Sequence, residues 1–283
     1  MPRQVVRGSV YVSRDRTMKK KPSLWKNHTF RQVLFVLAFL AIWEIVALSK
    51  IYPPLLFPDL VSILKALVES TASGEMVQRT WYSLYLILMG LGIGLLISFV
   101  MVALAMVSDI FADFMEAMVA INHPLPGVAL LPITLLWFGS GEWGIIFVLV
   151  HSVVWPMMLN TYAGFRSVSR TQLEVGRNIG LRGLRLVTSV MVPAAFPYIF
   201  TGLKISWARA WRSLVAAEMI FGASGKDGGL GWLIYQRRFF LDTPGVFAAL
   251  GVIILIGIVV ESGLFTQLEK RTVQRWGMVV TRS

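Results

Sequence analysis

The stretch EVGRNIGLRGLRLVTSVMVPAAFP, residues 174–197, places three arginines, three glycines and two prolines next to long apolar segments. Thr171 precedes Glu174 by three residues, which is the spacing of a capping box that satisfies backbone donors at a helix start. Gly180 suits the left-handed position that follows a helix. The pattern therefore predicts a short helix over residues 172–179, and the two prolines mark the entry of the next apolar segment.

The rest of the chain is apolar enough to indicate an integral membrane protein. Of its 283 residues, 56% are hydrophobic and 15% are charged, and the mean hydropathy is +0.67. We expect an all-α fold with about six transmembrane helices, because a helix crosses the bilayer with roughly 20 apolar residues. The predicted spans are residues 32–49, 82–107, 113–138, 144–164, 194–220 and 245–265.

The positive charges indicate the orientation of these spans. With both termini on the same side of the membrane, that side carries 18 Lys and Arg residues and the other carries six. Basic loops of membrane proteins are the cytoplasmic ones. We therefore expect a cytoplasmic tail at residues 1–31, one transmembrane domain at residues 32–265 and a second cytoplasmic tail at residues 266–283. The net charge of +12 then follows mostly from topology, and nucleic acid is not expected as a partner.

Several kinds of chemistry find no support in the chain. It has no cysteine, and its three histidines are widely separated, so neither a thiolate nucleophile nor a metal site is predicted. The segment IFGASGKD, residues 220–227, has Ile where a phosphate-binding loop requires Gly and Asp where it requires Ser or Thr. We expect no catalytic residue and no cofactor in this chain.

Three local features bear on the packing of the spans. Pro124, Pro126 and Pro132 remove backbone donors and bend or interrupt the third span unless neighbouring groups satisfy the freed carbonyls. Gly90 and Gly94 form a GxxxG pair in the second span, which allows close helix contact. Residues 53–72 begin with prolines and continue with helical apolar spacing, which is typical of an interfacial helix.

The stretch quoted first resembles the cytoplasmic motif of permease subunits of ABC importers, which reads E-A-A, three residues, G, nine residues, I-x-L-P. Here Glu174-Val175-Gly176 is followed after three residues by Gly180 and after nine more by Val190-Met191-Val192-Pro193. Val175 and Gly176 replace the two alanines of the motif, and valines replace its Ile and Leu. Four further segments resemble the nitrate, sulfonate, bicarbonate and taurine branch: LLPITLLWFGSGEWG (130–144), LNTYAGFRSVS (159–169), ARAWRSLVAAEMIFG (208–222) and GGLGWLIYQ (228–236).

This resemblance implies a type I ABC importer permease fold in the bacterial inner membrane. It implies a second permease copy, an ATPase dimer that binds ATP and Mg, and an extracytoplasmic solute-binding protein. The helix at residues 171–182 would dock on the ATPase. The coupling residues implied are Thr171, Glu174, Val175, Gly176, Arg177, Gly180 and Arg182. Two alternatives are that Glu174 serves only as a cap and that the arginines, including Arg170 and Arg185, are only topological anchors.

Charged residues within the fifth span raise the question of the solute. At 100° per residue, Lys204, Arg209 and Arg212 lie on one side of the helix. Arginine binds planar oxyanions well, so we expect these residues, with Glu218, to line a pathway for nitrate, sulfonate, taurine, bicarbonate or a related organic acid. The alternative is that the basic residues pair with intramembrane acids. The acids available are Glu44, Glu116, Glu218 and Glu261.

Other polar and aromatic residues of the spans are expected to have structural roles. Trp207 and Trp211 should pack between helices, and His151 should be a buried residue with satisfied hydrogen bonds. Two other classes of function stay open. A secondary carrier or channel would make residues 171–182 an ordinary loop and should show inverted repeats, of which none is visible. A membrane-embedded enzyme would need a cluster of acids, histidines or a nucleophile, and no such motif is recognisable.

Overall fold

The computed structural model describes residues 28–222 and 228–272. Most of the predicted tails, at residues 1–27 and 273–283, and most of the IFGASGKD segment lie outside this range. The chain divides into two units, residues 1–52 and residues 53–283. The predicted all-α class is confirmed, since the described parts of both units contain helices and turns but no strand.

The described part of the first unit contains one helix, and the described part of the second contains eleven. The first unit contributes α1 (His28–Leu48). The second contributes α2 (Leu60–Ala72), α3 (Glu75–Val107), α4 (Asp109–Asn122), α5 (Leu131–Phe138), α6 (Glu142–Arg166), α7 (Arg170–Asn178), α8 (Leu184–Leu186), α9 (Val192–Phe221), α10 (Leu230–Phe239), α11 (Thr243–Ile258) and α12 (Thr266–Arg271). A 3₁₀ turn at Gly127–Leu130 precedes α5, and π-helical turns at Val187–Met191 and Val259–Phe265 join α8 to α9 and α11 to α12.

Five helical runs in these ranges are long and apolar enough to cross a membrane, or six if one bent pair counts as a span. The bent pair corrects the prediction of a single third span over residues 113–138. There α4 and the segment Gly127–Phe138 meet at 86°. Pro124 and Pro126 lie between the two helices, and a proline cannot supply the backbone donor that a continuous helix requires.

Helix α6 is the centre of the core and packs against both α3 and α9. Its contact with α3 is close because α3 presents glycines there. A Cβ on Gly90 would lie 2.4 Å from Leu149 Cβ, and one on Gly94 would lie 2.7 Å from Val153 Cβ. The close helix contact predicted from the GxxxG pair is therefore present, and any side chain at these positions would push α3 and α6 apart.

The fifth span starts earlier than residue 194, where it is predicted to start. The helical run extends from Leu184 to Phe221, so Pro193 and Pro197 lie inside it. The π-helical turn Val187–Met191 directly precedes Pro193, which then falls in the first turn of α9. The π-helical turn continues directly into α9, so both prolines are accommodated within one helical run.

An arginine cluster joins α2, α3, α10 and α11 at one end of the second unit. The Arg237 guanidinium donates to Asp242, at 2.7 Å, to Ser70, at 3.1 Å, and to Glu75. Burial by itself lowers the pKa of Arg237, but the hydrogen bonds to Asp242 and Glu75 outweigh burial and raise that pKa above its usual value. Arg79 also contacts Glu75, at 3.8 Å. This end of the molecule is therefore held by paired charges.

Candidate functional site

The short polar helix that the opening stretch predicts is α7, but its cap differs from the prediction. The helix begins at Arg170, and its capping box is formed by Ser169 and Gln172. The Ser169 hydroxyl accepts from the Gln172 amide at 3.3 Å, and the Ser169 amide donates to Gln172 Oε1 at 3.2 Å. Thr171 and Glu174 therefore do not form the capping box, and both side chains are exposed. Glu174 has no role as the cap in this geometry.

The capping box of Ser169 and Gln172 overlaps the predicted box of Thr171 and Glu174, and neighbouring apolar residues distinguish the two. For a helix capped by Ser169, the preceding residue is Val168, which is buried, and the fourth helical residue is Leu173, which is half-buried. Apolar residues at these two positions form a hydrophobic staple. A helix capped by Thr171 would have Arg170 at the first of the two positions, so the staple pattern favours Ser169.

The end of α7 follows the prediction made for Gly180. Its φ of +87° lies in the left-handed region, where glycine is favoured. The Gly180 amide donates to the Arg177 carbonyl and the Leu181 amide to the Gly176 carbonyl, each at 3.0 Å, which is a Schellman motif. Gly176 is buried, and a Cβ there would come within 2.7 Å of Leu186 Cδ1. That contact gives a physical reason for glycine where the family motif has alanine.

Apart from Gly176, the residues that the resemblance implies for coupling are on the surface of the second unit. Exposed members are Thr171, Glu174, Val175, Arg177, Gly180 and Arg182. Val175 is 56% exposed, and Ile179, which was not among the predicted residues, is 72% exposed. A helix that carries exposed apolar side chains between exposed arginines has the composition of a protein–protein contact surface.

A second feature is a cavity of about 410 Å³ at the break between α4 and α5, bordered also by α6 and α9. It is lined by His123, Pro124, Leu125, Pro126, Gly127, Val128, His151, Ser152, Trp155, Arg209, Arg212 and Ser213. We call it the arginine cavity. The broken span exists in this form because Gly127 packs directly on α6 and α9: a Cβ there would lie 2.4 Å from Ser152 Oγ and 3.1 Å from Ser213 Oγ. The break thus brings a loop, rather than a helix face, to the cavity wall.

Two of the four predicted pathway residues meet in the arginine cavity. Arg209 donates to the His123 carbonyl at 3.1 Å, and its second terminal nitrogen lies 3.3 Å from His123 Nε2. Arg212 donates to the Ala208 carbonyl at 2.9 Å. Within residues 28–222 and 228–272, neither guanidinium forms an ion pair with an acid. The alternative that these two arginines pair with intramembrane acids is therefore wrong for the described residues.

The other two predicted pathway residues lie outside the cavity lining. Lys204 forms an ion pair of 2.9 Å with Glu269 of α12, an acid that was not among the predicted partners. Glu218 is 1% exposed. Its carboxylate accepts from the Ser83 hydroxyl and from the Gly231 amide, both at 2.7 Å. In this structure Glu218 joins α9 to α3 and to the start of α10.

The prediction that His151 is a satisfied buried residue is wrong. Both of its ring nitrogens are buried without a hydrogen-bond partner, as are His123 Nδ1 and Trp155 Nε1. His151 and Trp155 are four positions apart on α6, and their rings meet edge to face at 5.8 Å. Spacing of four residues on one helix face is the sequence signal that could have joined this pair. No such local signal joins either of them to His123 or Arg209.

A neighbouring cavity of about 510 Å³ shares His123 and Pro124 with the arginine cavity. It extends between α4 and α6 to the ion pair of Arg166 with Glu116, at 3.5 Å. Together the two cavities follow one side of the broken span. In the part of the chain that the structure describes, no three His, Asp or Glu side chains are grouped to hold a metal ion.

Comparison with known proteins identifies the relatives of the chain. Residues 114–274 match the model of the binding-protein-dependent transport system inner membrane component. The taurine transport system permease protein of Escherichia coli is 30% identical over 250 residues, which cover 85% of this chain and 89% of that protein. The formylaminopyrimidine transport permease protein of Halalkalibacterium halodurans is 28% identical, with 80% of this chain and 88% of that protein covered. A Bacillus subtilis protein with the provisional name aliphatic sulfonates transport permease protein is 28% identical, with 95% of each chain covered.

Proposed function

The chain belongs to the family of binding-protein-dependent transport system inner membrane components and is a permease subunit of an importer, and from this premise we propose that it carries a small organic anion. The observation that carries the proposal is the pair Arg209 and Arg212, which border a cavity and have no acidic partner among the described residues. Charged side chains at membrane depth are costly and usually face a cavity or a partner. Unpaired guanidinium groups there favour an anionic solute.

The names of the relatives narrow the solute only in part. Taurine and aliphatic sulfonates both contain a sulfonate group, whereas a formylaminopyrimidine does not. The two arginines therefore support an anionic solute independently of the names of the relatives. Within the class of small organic anions, a sulfonate is the solute that agrees with both the cavity and two of the three relatives.

Energy would come from a separate ATPase dimer that docks on α7. Val175 of this helix and Ile179, which directly follows it, are apolar and exposed, and a Schellman motif holds the end of the helix. A rigid helix with apolar side chains on its surface suits docking into a groove of another protein. ATP and Mg would bind that partner. We place α7 and both termini on the cytoplasmic side of a bacterial inner membrane because of the positive charges counted above.

The complete importer would also contain a second permease copy and an extracytoplasmic binding protein that delivers the solute. A homodimer is the simplest assembly for one type of permease chain. The tails at residues 1–31 and 266–283 would flank a single transmembrane domain. In this arrangement the chain itself has no catalytic role.

The test combines purification and transport. A tagged complex is purified in mild detergent, analysed for a co-purifying ATPase and reconstituted in liposomes with its binding protein. We expect uptake of a labelled alkanesulfonate with ATP and none without it. Gly180→Arg should lose the ATPase, because it disturbs the end of α7 and places a bulky cation there. Gly180→Asn is the matched control, since asparagine tolerates a positive φ, and it should retain the ATPase.

Two results would contradict the proposal. Uptake that proceeds equally well without ATP would indicate a secondary carrier. Retention of the ATPase by Gly180→Arg at the wild-type level would indicate that the end of α7 is not part of the docking surface.

A further inference from the structure

A further cavity, of about 680 Å³, lies at the end of α3 that leads into α4. Its walls are formed by that end of α3, by Phe165 of α6, by α8 and by the π-helical turn before α9. We call it the α8 cavity. Every described residue that lines it is apolar or glycine. Such a lining favours a hydrocarbon chain over a polar ligand.

The α8 cavity lies where three membrane-spanning helical runs end. The run of α3 ends near Val107, the run of α6 ends just after Phe165, and the run that includes α9 begins at Leu184. Val107 is 81% exposed and Leu184 is 78% exposed, so the cavity opens to the surface of the chain. On the side of α7, these helix ends are at the level where lipid head groups meet the hydrocarbon.

Positive charges flank the α8 wall of the cavity. Arg182 and Arg185 bracket the lining residues Gly183 and Leu184 in the chain. Both arginines are exposed, and within the part of the chain that the structure describes neither forms an ion pair. The sequence over residues 175–217 contains no Asp or Glu. This wall therefore attracts an anionic group.

The α3 wall has the opposite charge. Asp109, which is exposed and starts α4, follows the lining residue Val107 by two positions. An anionic group is therefore favoured beside Arg182 and Arg185 and disfavoured at the end of α3. Basic pockets between membrane helices on the cytoplasmic side bind the head groups of anionic lipids. An apolar cavity with arginines beside one wall fits the two parts of such a lipid.

The α8 cavity also borders the residue that supports α7. Leu186 lines the cavity and is 8% exposed. It packs on Gly176 of α7, where a Cβ would come within 2.7 Å of Leu186 Cδ1. The cavity continues along the π-helical turn Val187–Met191, and π-helical turns within helices are frequent at functional sites. An occupant of the cavity therefore contacts the side chain on which α7 rests.

From these observations we infer that the α8 cavity binds an acyl chain of an anionic phospholipid. The acyl chain occupies the apolar cavity, Arg182 and Arg185 contact the head group, and the bound lipid holds Leu186 against Gly176. The inference rests on the cytoplasmic placement of α7 in the proposed function. It adds a dependence of ATP-driven import on the lipid composition of the membrane.

The first experiment measures lipid binding without transport. The complex of permease and ATPase, stripped of lipid in detergent, is titrated with phosphatidylglycerol or phosphatidylcholine of the same acyl chains. Bound lipid is counted by native mass spectrometry, and the rise in Tm is followed. We expect saturable binding of phosphatidylglycerol that is about tenfold or more tighter, because each basic side chain near the head group favours an anionic lipid.

A pair of arginine variants tests the head-group contact. Arg185→Gln should reduce the preference for phosphatidylglycerol by about fivefold. Arg170→Gln is the control, because Arg170 is exposed at the start of α7 and is not adjacent in the chain to a lining residue. This variant should retain the preference. Equal losses in the two variants would mean that the positive charge of this face acts as a whole.

A pair of tryptophan variants tests the cavity itself. Ala103 lines the cavity and the next residue, Leu104, does not, although both are exposed on α3. Ala103→Trp fills the cavity and should abolish the saturable binding, whereas Leu104→Trp should retain it. In vesicles, ATP-dependent uptake by the wild type should be faster in an equal mixture of phosphatidylglycerol and phosphatidylcholine than in phosphatidylcholine alone. Uptake by Ala103→Trp should be the same in both.

A single thiol distinguishes a lipid from a protein that covers the cavity. The chain has no cysteine, so Leu184→Cys introduces one thiol at the cavity. We expect a maleimide to label it in the lipid-stripped complex and phosphatidylglycerol to slow the labelling. Disulfide-linked permease dimers, or protection of the thiol in the absence of lipid, would show that a second copy or the ATPase covers the cavity, and would overturn the inference.

The outcomes separate this inference from the proposed function. Equal binding of the two lipids, equal losses in the two arginine variants, or equal effects of Ala103→Trp and Leu104→Trp would overturn the inference, and ATP-dependent uptake would still support the proposed function. Saturable binding of phosphatidylglycerol without any ATP-dependent uptake would instead overturn the proposed function. If Ala103→Trp proves unstable, Arg185→Gln and Leu184→Cys still decide, because neither changes the packing of the core.

Discussion

Glu218 and Arg209 are two ionisable side chains of α9, and they differ in the hydrogen-bond partners that surround them. Glu218 is almost completely buried, and both carboxylate oxygens accept hydrogen bonds, from Ser83 and from the Gly231 amide. Arg209 lines a cavity, contacts the carbonyl of His123 and has no acidic partner in the described ranges. A buried carboxyl group whose two oxygens both accept hydrogen bonds stabilises one packing arrangement, whereas a guanidinium group beside a cavity and without an acidic partner is available to a ligand.

The comparison predicts the largest change in stability for Glu218→Ala. This substitution leaves the Ser83 hydroxyl and the Gly231 amide without their acceptor, and each loss costs about 1–3 kcal/mol. We expect a large fall in the Tm of the purified complex. Glu218→Gln keeps the size and one acceptor oxygen and should cost less. An unchanged Tm together with lost transport would reverse the assignment and return Glu218 to the solute pathway, where the sequence had predicted it.

Arg209→Gln should have the opposite profile. Transport of the anion should fall about tenfold or more, because hydrogen bonds to charged groups contribute about 1.5–3 kcal/mol. The Tm should fall less than in Glu218→Ala, since the substitution leaves no acid unpaired among the described residues and removes only the contacts of Arg209 with His123.

Lys204→Gln is the matched control for Arg209→Gln, because Lys204 lies on the same helix but pairs with Glu269 at 2.9 Å. It should retain most of the transport. Similar losses in the two variants would mean that positive charge on α9 acts at long range, and the distinction between paired and unpaired charges would fail.

Glycines of α3 also differ in their surroundings, since Gly94 packs closely against another helix and Gly92 does not. A Cβ on Gly94 would lie 2.7 Å from both Val153 Cβ and Cγ1, whereas a Cβ on Gly92 would have no heavy atom within 4 Å. Gly94→Ala should destabilise the complex by about 1–3 kcal/mol through overpacking. Gly92→Ala should be neutral or slightly stabilising, since alanine favours the helix. Equal Tm values for the two variants would show that α3 and α6 can separate at little cost.

The elements of this fold follow from local signals, and the cavity does not. Hydropathy predicts the spans because each must be apolar over its own length, and Gly180 predicts the end of α7 because only a few residue types accept its backbone conformation. The start of α7 was predicted wrongly because two overlapping capping boxes fit the sequence, and only the staple at Val168 and Leu173 favours the first.

The arginine cavity depends on contacts between distant segments. His123 belongs to the break, His151 to α6 and Arg209 to α9, and no periodicity relates them. The partner of Lys204 illustrates the same limit: Glu269 lies beyond the predicted last span, so a search confined to acids within the spans omits it. Residue types alone indicate which charges need partners, and the tertiary structure decides which of them obtain one.

The smallest effect is expected for the exposed ion pair at the end of the neighbouring cavity. Arg166 and Glu116 are 3.5 Å apart, and their side chains are 66% and 56% exposed. Exposed ion pairs contribute little, so a double-mutant cycle with Arg166→Gln and Glu116→Gln should give a coupling below about 1 kcal/mol that decreases with salt. A coupling well above this value that persists at high salt would mean that a partner covers the pair in the assembled complex. In that case exposure would not explain the difference in stabilisation that we expect between Arg166, which is exposed, and Glu218, which is buried.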